Sequence, residues 1–202
     1  GDGRPKEEVS SRLVEEFERL QSRKVQRVLL VCSDYDSYTF EDEGLLSEIV
    51  YHEYAQLNLR TPPVIERVAA PDAALERIRQ TDFDLVVTLT RSPTSFLSAV
   101  HKLRPTLPIA LMALTPAELT TLDPRVDQNQ RINVNKRLMW ERAPASKGAL
   151  GGLEDAWIWP FLWQGNTSLF TGLFKLVEDR LNVANDCKEG VQVILLVEDS
   201  VR

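Results

Sequence analysis

Apolar and polar positions alternate between two periods along most of the chain. Residues 27–32 (RVLLVC), 84–89 (DLVVTL) and 108–114 (PIALMAL) are short apolar runs, the signature of strands covered on both faces. Residues 64–68 form a weaker strand, and 157–163 (WIWPFLW) complete a set of five. Between them the period becomes helical. Leu46, Ile49, Val50, Tyr54 and Leu57 fall on one stripe of residues 43–57, which the run from Asn58 to Pro63 breaks. Pro71-Asp72 opens a helix carrying Ala74, Leu75 and Ile78, a further helix spans 94–103, and Thr115-Pro116-Ala117-Glu118 starts another. Asn166 is placed to cap a long helix bearing Leu169, Phe170, Leu173, Phe174, Leu176, Val177 and Leu181. Upstream of the first strand, Pro5 to Glu8 reads as a helix start, with Val9, Leu13, Phe17 and Leu20 on one face. Residues 122–154 form a long insertion before the fifth strand, with a polar run, room for a short element around 132–140, and a loop rich in Ala, Gly and Ser over 143–152 that is expected to be mobile.

Strand and helix repeated five times predict an α/β fold. Right-handed crossovers return each helix to a parallel sheet, giving a doubly wound, flavodoxin-like (CheY-like) five-stranded sheet of order 2-1-3-4-5. Ligands of such sheets sit at the carboxyl ends of the strands, so the residues of interest are those at the tips of strands one, three, four and five. The domain boundaries expected are an amphipathic helix over 1–24, the sheet domain over 25–184, and a linker with the opening strand of a second copy over 185–202. That second copy is signalled by a repeat: VQRVLLVCSD at 25–34 returns as VQVILLVEDS at 191–200, with Glu198 and Asp199 where the first copy has Cys32 and Ser33.

Composition narrows the function classes. At 202 residues, 43% apolar and 27% charged, the chain is long enough for one buried core. Its net charge of −6 argues against a grip on nucleic acid, since the small basic knot at 131–137 (RINVNKR) is all the concentrated positive charge there is. No apolar run approaches a membrane span. Cys32 and Cys187 lie in unrelated contexts without metal-ligand spacing, which favours a reduced, cytoplasmic protein with no metal and no cofactor.

Several segments together carry a resemblance. The first strand with its turn, ALERIRQTDFDLVV at 74–87, a Pro four residues past the third strand's tip, LRPTLPIALMAL at 103–114 and a final helix resemble the response-regulator receiver domain over about 25–181. The segments VCSDYDSYTFEDEG, EYAQLNLRTPP, LVEDRLNV and ILLVEDSVR also look similar to tandem-receiver proteins joined to phosphoenolpyruvate-synthase or pyruvate phosphate dikinase-type modules. A receiver holds Mg²⁺ on an acidic pair after strand one and is phosphorylated on an aspartate at the tip of strand three. It steadies the phosphoryl group with a hydroxyl after strand four and a lysine after strand five. The resemblance places Cys32 and Ser33 at the acidic pair, Leu89 at the phosphoacceptor and Ala113 at the hydroxyl. The lysine position falls on Gln164, or on Trp159 if Trp159-Pro160 mimics Lys-Pro. The register at Leu89 is fixed by Asp84 five residues upstream and Pro93 four downstream. Every functional position is altered, so a non-phosphorylatable, non-enzymatic pseudo-receiver is implied.

What remains admits competing readings. Asp34, Asp36, Glu41, Asp42 and Glu43 form either a solvated helix N-terminus or a place for a visiting divalent ion. Cys32 is either a small hydrophobe or a redox-sensitive thiol. His52 and His101 fall on helices without an evident catalytic partner. Trp157, Trp159, Phe161 and Trp163 share one face of a strand, as core beneath the last helix or as a partner-binding patch. The residues marked as a candidate interface are Leu13, Phe17, Trp157, Trp159 and Trp163. Partners expected are other domains of the same parent chain or a second copy. The alternatives are a small-molecule sensor built on Ser33, Thr88, Thr90 and Gln164, and the regulatory part of a phosphotransferase active beyond residue 202.

Overall fold

Five parallel strands form one sheet in the order β2-β1-β3-β4-β5. The structure, a computed structural model, describes residues 22–40, 46–57, 59, 61–89, 91, 94–118, 157–163 and 165–188. Their elements are β1 (Arg27–Val31), α1 (Asp34–Phe40), α2 (Leu46–Gln56), β2 (Val64–Val68), α3 (Pro71–Gln80), β3 (Leu85–Leu89), α4 (Thr94–Leu103), β4 (Ile109–Ala113), β5 (Ile158–Leu162) and α5 (Ser168–Asp186). The predicted flavodoxin-like order is therefore the observed one, and the described strands and helices fall within three residues of where the apolar pattern places them; the expected helix carrying Val9, Leu13, Phe17 and Leu20 lies outside the described residues. The exception is the segment after β1. It holds a seven-residue helix, α1, ahead of the expected one, which begins at Leu46.

The residues divide into two compact units, 25–173 and a second formed by 1–24 with 174–202. The first carries the whole sheet. Its central strands β1, β3 and β4 are apolar because both faces are covered: Val28 to Val31, Leu85 to Leu89 and Ile109 to Ala113 are all buried. Pleat alternation divides these side chains. Leu29, Val31, Val86, Ile109, Leu111 and Ile158 form one core cluster with Ala74 and Ile78 of α3 and Phe96, Leu97 and Val100 of α4. Val28, Leu30, Leu85, Val87, Ala110, Met112, Trp159 and Phe161 point to the other face, on which the right-handed crossover from β1 to β2 carries α2. Leu46, Val50 and Tyr54 are the buried residues of α2. The Glu53 carboxylate of α2 accepts hydroxyl hydrogen bonds from Ser168 (2.6 Å) and Thr171, joining α2 to the first turns of α5.

Asp84 explains why the strand-three register is legible. Its Oδ2 accepts the N–H groups of Gln26 (2.8 Å) and Arg27 (2.9 Å), pinning the start of β1 to the start of β3. Five residues later the same strand reaches Leu89. On β5, Trp157 supplies a carbonyl to Ile109 and Trp163 an N–H to Ala113, so the odd-numbered residues face β4. Pro160 therefore turns its nitrogen, which has no hydrogen, to the open side of an edge strand, where a strand tolerates proline.

In the second unit, the described residues are 22–24 and 174–188. Lys175 and Lys24 approach the buried Glu178 carboxylate at 2.7 and 3.9 Å. No helix among the described residues is long and apolar enough to cross a membrane.

Candidate functional site

The strand register gathers the receiver-like positions at one end of the sheet. Val31 is level with Thr88, Leu89 with Met112, and Ala113 with Leu162. Cys32 and Ser33 leave β1 at that level, so Cys32, Ser33, Leu89 and Ala113 come together at the carboxyl ends of the strands. Gln164 and Thr90 lie outside the described residues. The alternative lysine position, Trp159, is not at the tip: it is level with Ala110, three residues short of Ala113 and about 10 Å down the strand. Pro160 follows it inside the strand, so the Lys-Pro comparison fails on register.

None of the gathered side chains is a carboxylate. Leu89 is 6% exposed and carries no heteroatom, and Ala113 is buried with no hydroxyl. Cys32 is buried, and its N–H donates to the Val68 carbonyl at 3.1 Å. Ser33 is exposed, but its hydroxyl caps α1. Its Oγ accepts the Asp36 N–H at 3.1 Å and donates to the Asp36 carboxylate at 2.7 Å, while its carbonyl takes the first helical N–H from Ser37. This Ser-x-x-Asp cap explains α1. Residues 33–36 also carried the signal in sequence, where the absence of an apolar stripe hid the helix.

The acids of the first turn are ion-paired. Asp34 accepts from Arg67 of β2 at 2.7 Å, and Asp36 from Arg91, two residues beyond Leu89, at 2.6 Å. Asp36 is the more enclosed, with its side chain 14% exposed against 78% for Asp34. Neither arginine was anticipated, because each is 33 or more residues from its partner and has no local sequence signature. Glu41, Asp42 and Glu43 lie outside the described residues. Among the described residues, no group of three or more His, Cys, Asp or Glu could hold a metal ion. Further along β2, Arg77 of α3 grips Glu66 with two hydrogen bonds, and this contact holds the Glu66 carboxyl below its usual range.

The polar groups proposed for a small-molecule pocket are otherwise engaged where they are described. Thr88 is 1% exposed and its hydroxyl donates to the Val31 carbonyl at 3.2 Å, and Ser33 serves the α1 cap. At the other end of the aromatic run, Trp159, Phe161 and Trp163 are buried, and Trp163 lies 5.7 Å from the Phe170 ring of α5. Trp159 and Trp163 are covered, whereas Trp157, 6.3 Å from Trp159, is partly open. Of the three tryptophans, only Trp157 is partly accessible, because the strand is covered on that face. Leu13 and Phe17 lie outside the described residues. His52 is exposed and stacked edge-on against Tyr51, and His101 is half-buried at the end of α4.

No protein-family model matches the chain, and no curated protein does. Among solved structures the chain is similar to the chemotaxis response regulator CheY4 of Vibrio cholerae, at 16% identity and a TM-score of 0.43, covering 76% of this chain and 99% of that one. It is similar to the receiver domain of the Francisella response regulator 1452, at 13% identity and a TM-score of 0.41, covering 77% and 98%. A third is the signal receiver domain of an HD domain-containing protein from Pseudomonas fluorescens Pf-5, at 14% identity and a TM-score of 0.41, covering 81% and 94%. The fold itself rests on the strand order and register of this chain.

Proposed function

We propose that this chain is a receiver-like regulatory domain that accepts no phosphoryl group and works by docking or dimerisation within a multidomain signal-transduction protein. The observation that carries the reading is Leu89. It stands at the strand-three tip, in a register pinned by Asp84, and no adjustment of pKa makes a hydrocarbon attack phosphorus. Cys32 and Ser33 support it at the position of the acidic pair, where neither is a carboxylate, and Ala113 supports it at the position of the hydroxyl, which it lacks. A domain of this kind keeps the scaffold and acts through its surface, and the repeat at 191–200 is read as the opening of an intact second receiver.

The test is incubation with a small phosphodonor and Mg²⁺, followed by intact-mass measurement. The mass of residues 1–190 stays unchanged if the reading holds; a stoichiometric phosphoryl adduct there sinks it. The link to a phosphoenolpyruvate-synthase or pyruvate phosphate dikinase-type parent rests on sequence segments alone, and reading the gene past residue 202 tests it. The small-molecule reading has lost support, because the Thr88 hydroxyl is turned to the Val31 carbonyl within the sheet.

A further inference from the structure

Residues 22–24 are tied to α5 without contributing an apolar residue. Ser22 and Arg23 are exposed and Lys24 is partly so, whereas Val25, the next residue, is fully buried. The ties come from two buried polar side chains one helical turn apart. Asn182 accepts the Arg23 N–H on Oδ1 at 2.8 Å and donates from Nδ2 to the Arg23 carbonyl at 2.7 Å, the exchange of bonds that one strand offers another. The Glu178 carboxylate stands 3.9 Å from Lys24 Nζ and 2.7 Å from Lys175 Nζ, and its residue's carbonyl takes a further bond from the Asn182 amide. Main-chain hydrogen bonds net about 0.5–1.5 kcal/mol each, and parting three polar residues from a helix uncovers little apolar surface, so such a contact opens at less cost than a core does.

We propose that residues 22–24 form a strap, clasped to α5 by Asn182 and Glu178, that opens and closes as a unit while the sheet stays folded. The strap is recognised by its main chain at position 23 and by its charge at position 24. Asn182 carries more of the clasp than Glu178, because the Lys24 contact is long and Lys175 still faces the carboxylate when Lys24 leaves. The strap gives the domain a two-state element that needs no phosphoryl group, and it goes beyond the docking role proposed above without depending on it.

The experiment is residue-resolved amide hydrogen exchange on the full chain in rising, sub-denaturing urea, with each rate expressed as protection against its intrinsic value. In the wild type the Arg23 amide is less protected than that of Leu29, fully buried in β1, by about tenfold or more. Its protection also stays flat in urea, because opening the strap exposes little surface. Asn182→Ala lowers Arg23 protection by about a further tenfold, the loss that removing its hydrogen bonds implies, with the urea dependence still flat. Arg23→Ala keeps the protection of the residue-23 amide, since the main chain is what Asn182 holds. An Arg23 amide whose protection falls with urea along the Leu29 slope shows that the strap opens only when the domain unfolds, and overturns the proposal. Unchanged Arg23 protection in Asn182→Ala overturns it as well. If Asn182→Ala does not fold, the wild-type urea series decides alone.

Discussion

Asn182 holds the main chain of Arg23 by both ends of its amide: Oδ1 accepts the Arg23 N–H at 2.8 Å, and Nδ2 donates to the Arg23 carbonyl at 2.7 Å. The Asn182 side chain is fully buried and also donates to the Glu178 carbonyl. An asparagine so used does the work of a neighbouring strand for the main chain of Arg23. Asn182→Ala leaves these main-chain groups without their partners and is expected to lower stability by about 1–3 kcal/mol. Urea unfolding checks it, as a lower midpoint at unchanged slope.

Glu53 offers a second tie to test. Its carboxylate serves two hydroxyls near the N-terminus of α5, where negative charge is also favoured by the helix dipole. Glu53→Ala is expected to cost about 1–2 kcal/mol in a denaturant titration. Thr171→Val should cost more than Ser168→Ala, because Thr171 is buried and Ser168 is open to water.

Two acids respond to pH in opposite senses. The Arg77 hydrogen bonds lower the Glu66 pKa, so that pair's contribution is present above the unfolded value and is lost as pH falls through the folded one. Arg77→Gln is therefore destabilising at neutral pH, with the difference closing below about pH 4. Partial desolvation and then the Glu178 charge raise the Asp179 pKa, so its contribution is present below the unfolded value and is lost as pH rises through the folded one. Asp179→Asn is expected to stabilise at pH 7 and to lose that advantage below about pH 4. Thermal midpoints measured from pH 3.5 to 7.5 read both effects.

Restoring a single acid does not restore phosphoryl chemistry. Leu89→Asp sets a carboxylate among buried apolar neighbours, with Cys32, Ser33 and Ala113 still in place. Stability is expected to fall by about 2–4 kcal/mol at pH 7 and by less at pH 5, since burial raises the new carboxyl's pKa. Intact mass after phosphodonor treatment should show no adduct.

The two thiols should differ in reach. Cys32 is buried and Cys187 exposed. A disulfide-exchange reagent added to the native protein is expected to titrate one equivalent quickly and the second only on unfolding.

The sheet was legible because each central strand announces itself twice, by an apolar run and by a turn residue at its end. Asp84 marks the third strand's start and also makes the hydrogen bonds that fix it, so motif and mechanism coincide there. α1 was missed because Tyr35 and Tyr38 are exposed and give no apolar stripe, leaving only the Ser33 cap as a signal. Cys32, Ser33, Leu89 and Ala113 could be assigned to strand tips from the sequence, whereas the pairing of β5 with β4 was needed to show that Trp159 lies below the tip. The Arg67, Arg91, Glu53 and Asn182 contacts were invisible for a common reason. They join residues 33 to 159 positions apart, and nothing in the local pattern selects one partner over another.

Pro160 has one more effect. A parallel sheet with two free margins invites a stray strand to add itself, and unchecked addition leads to fibres. One margin here presents a proline nitrogen, and the other, β2, carries Glu66 and Arg67 in its middle. Both margins are poor templates, so lengthening of the sheet by an added strand is disfavoured.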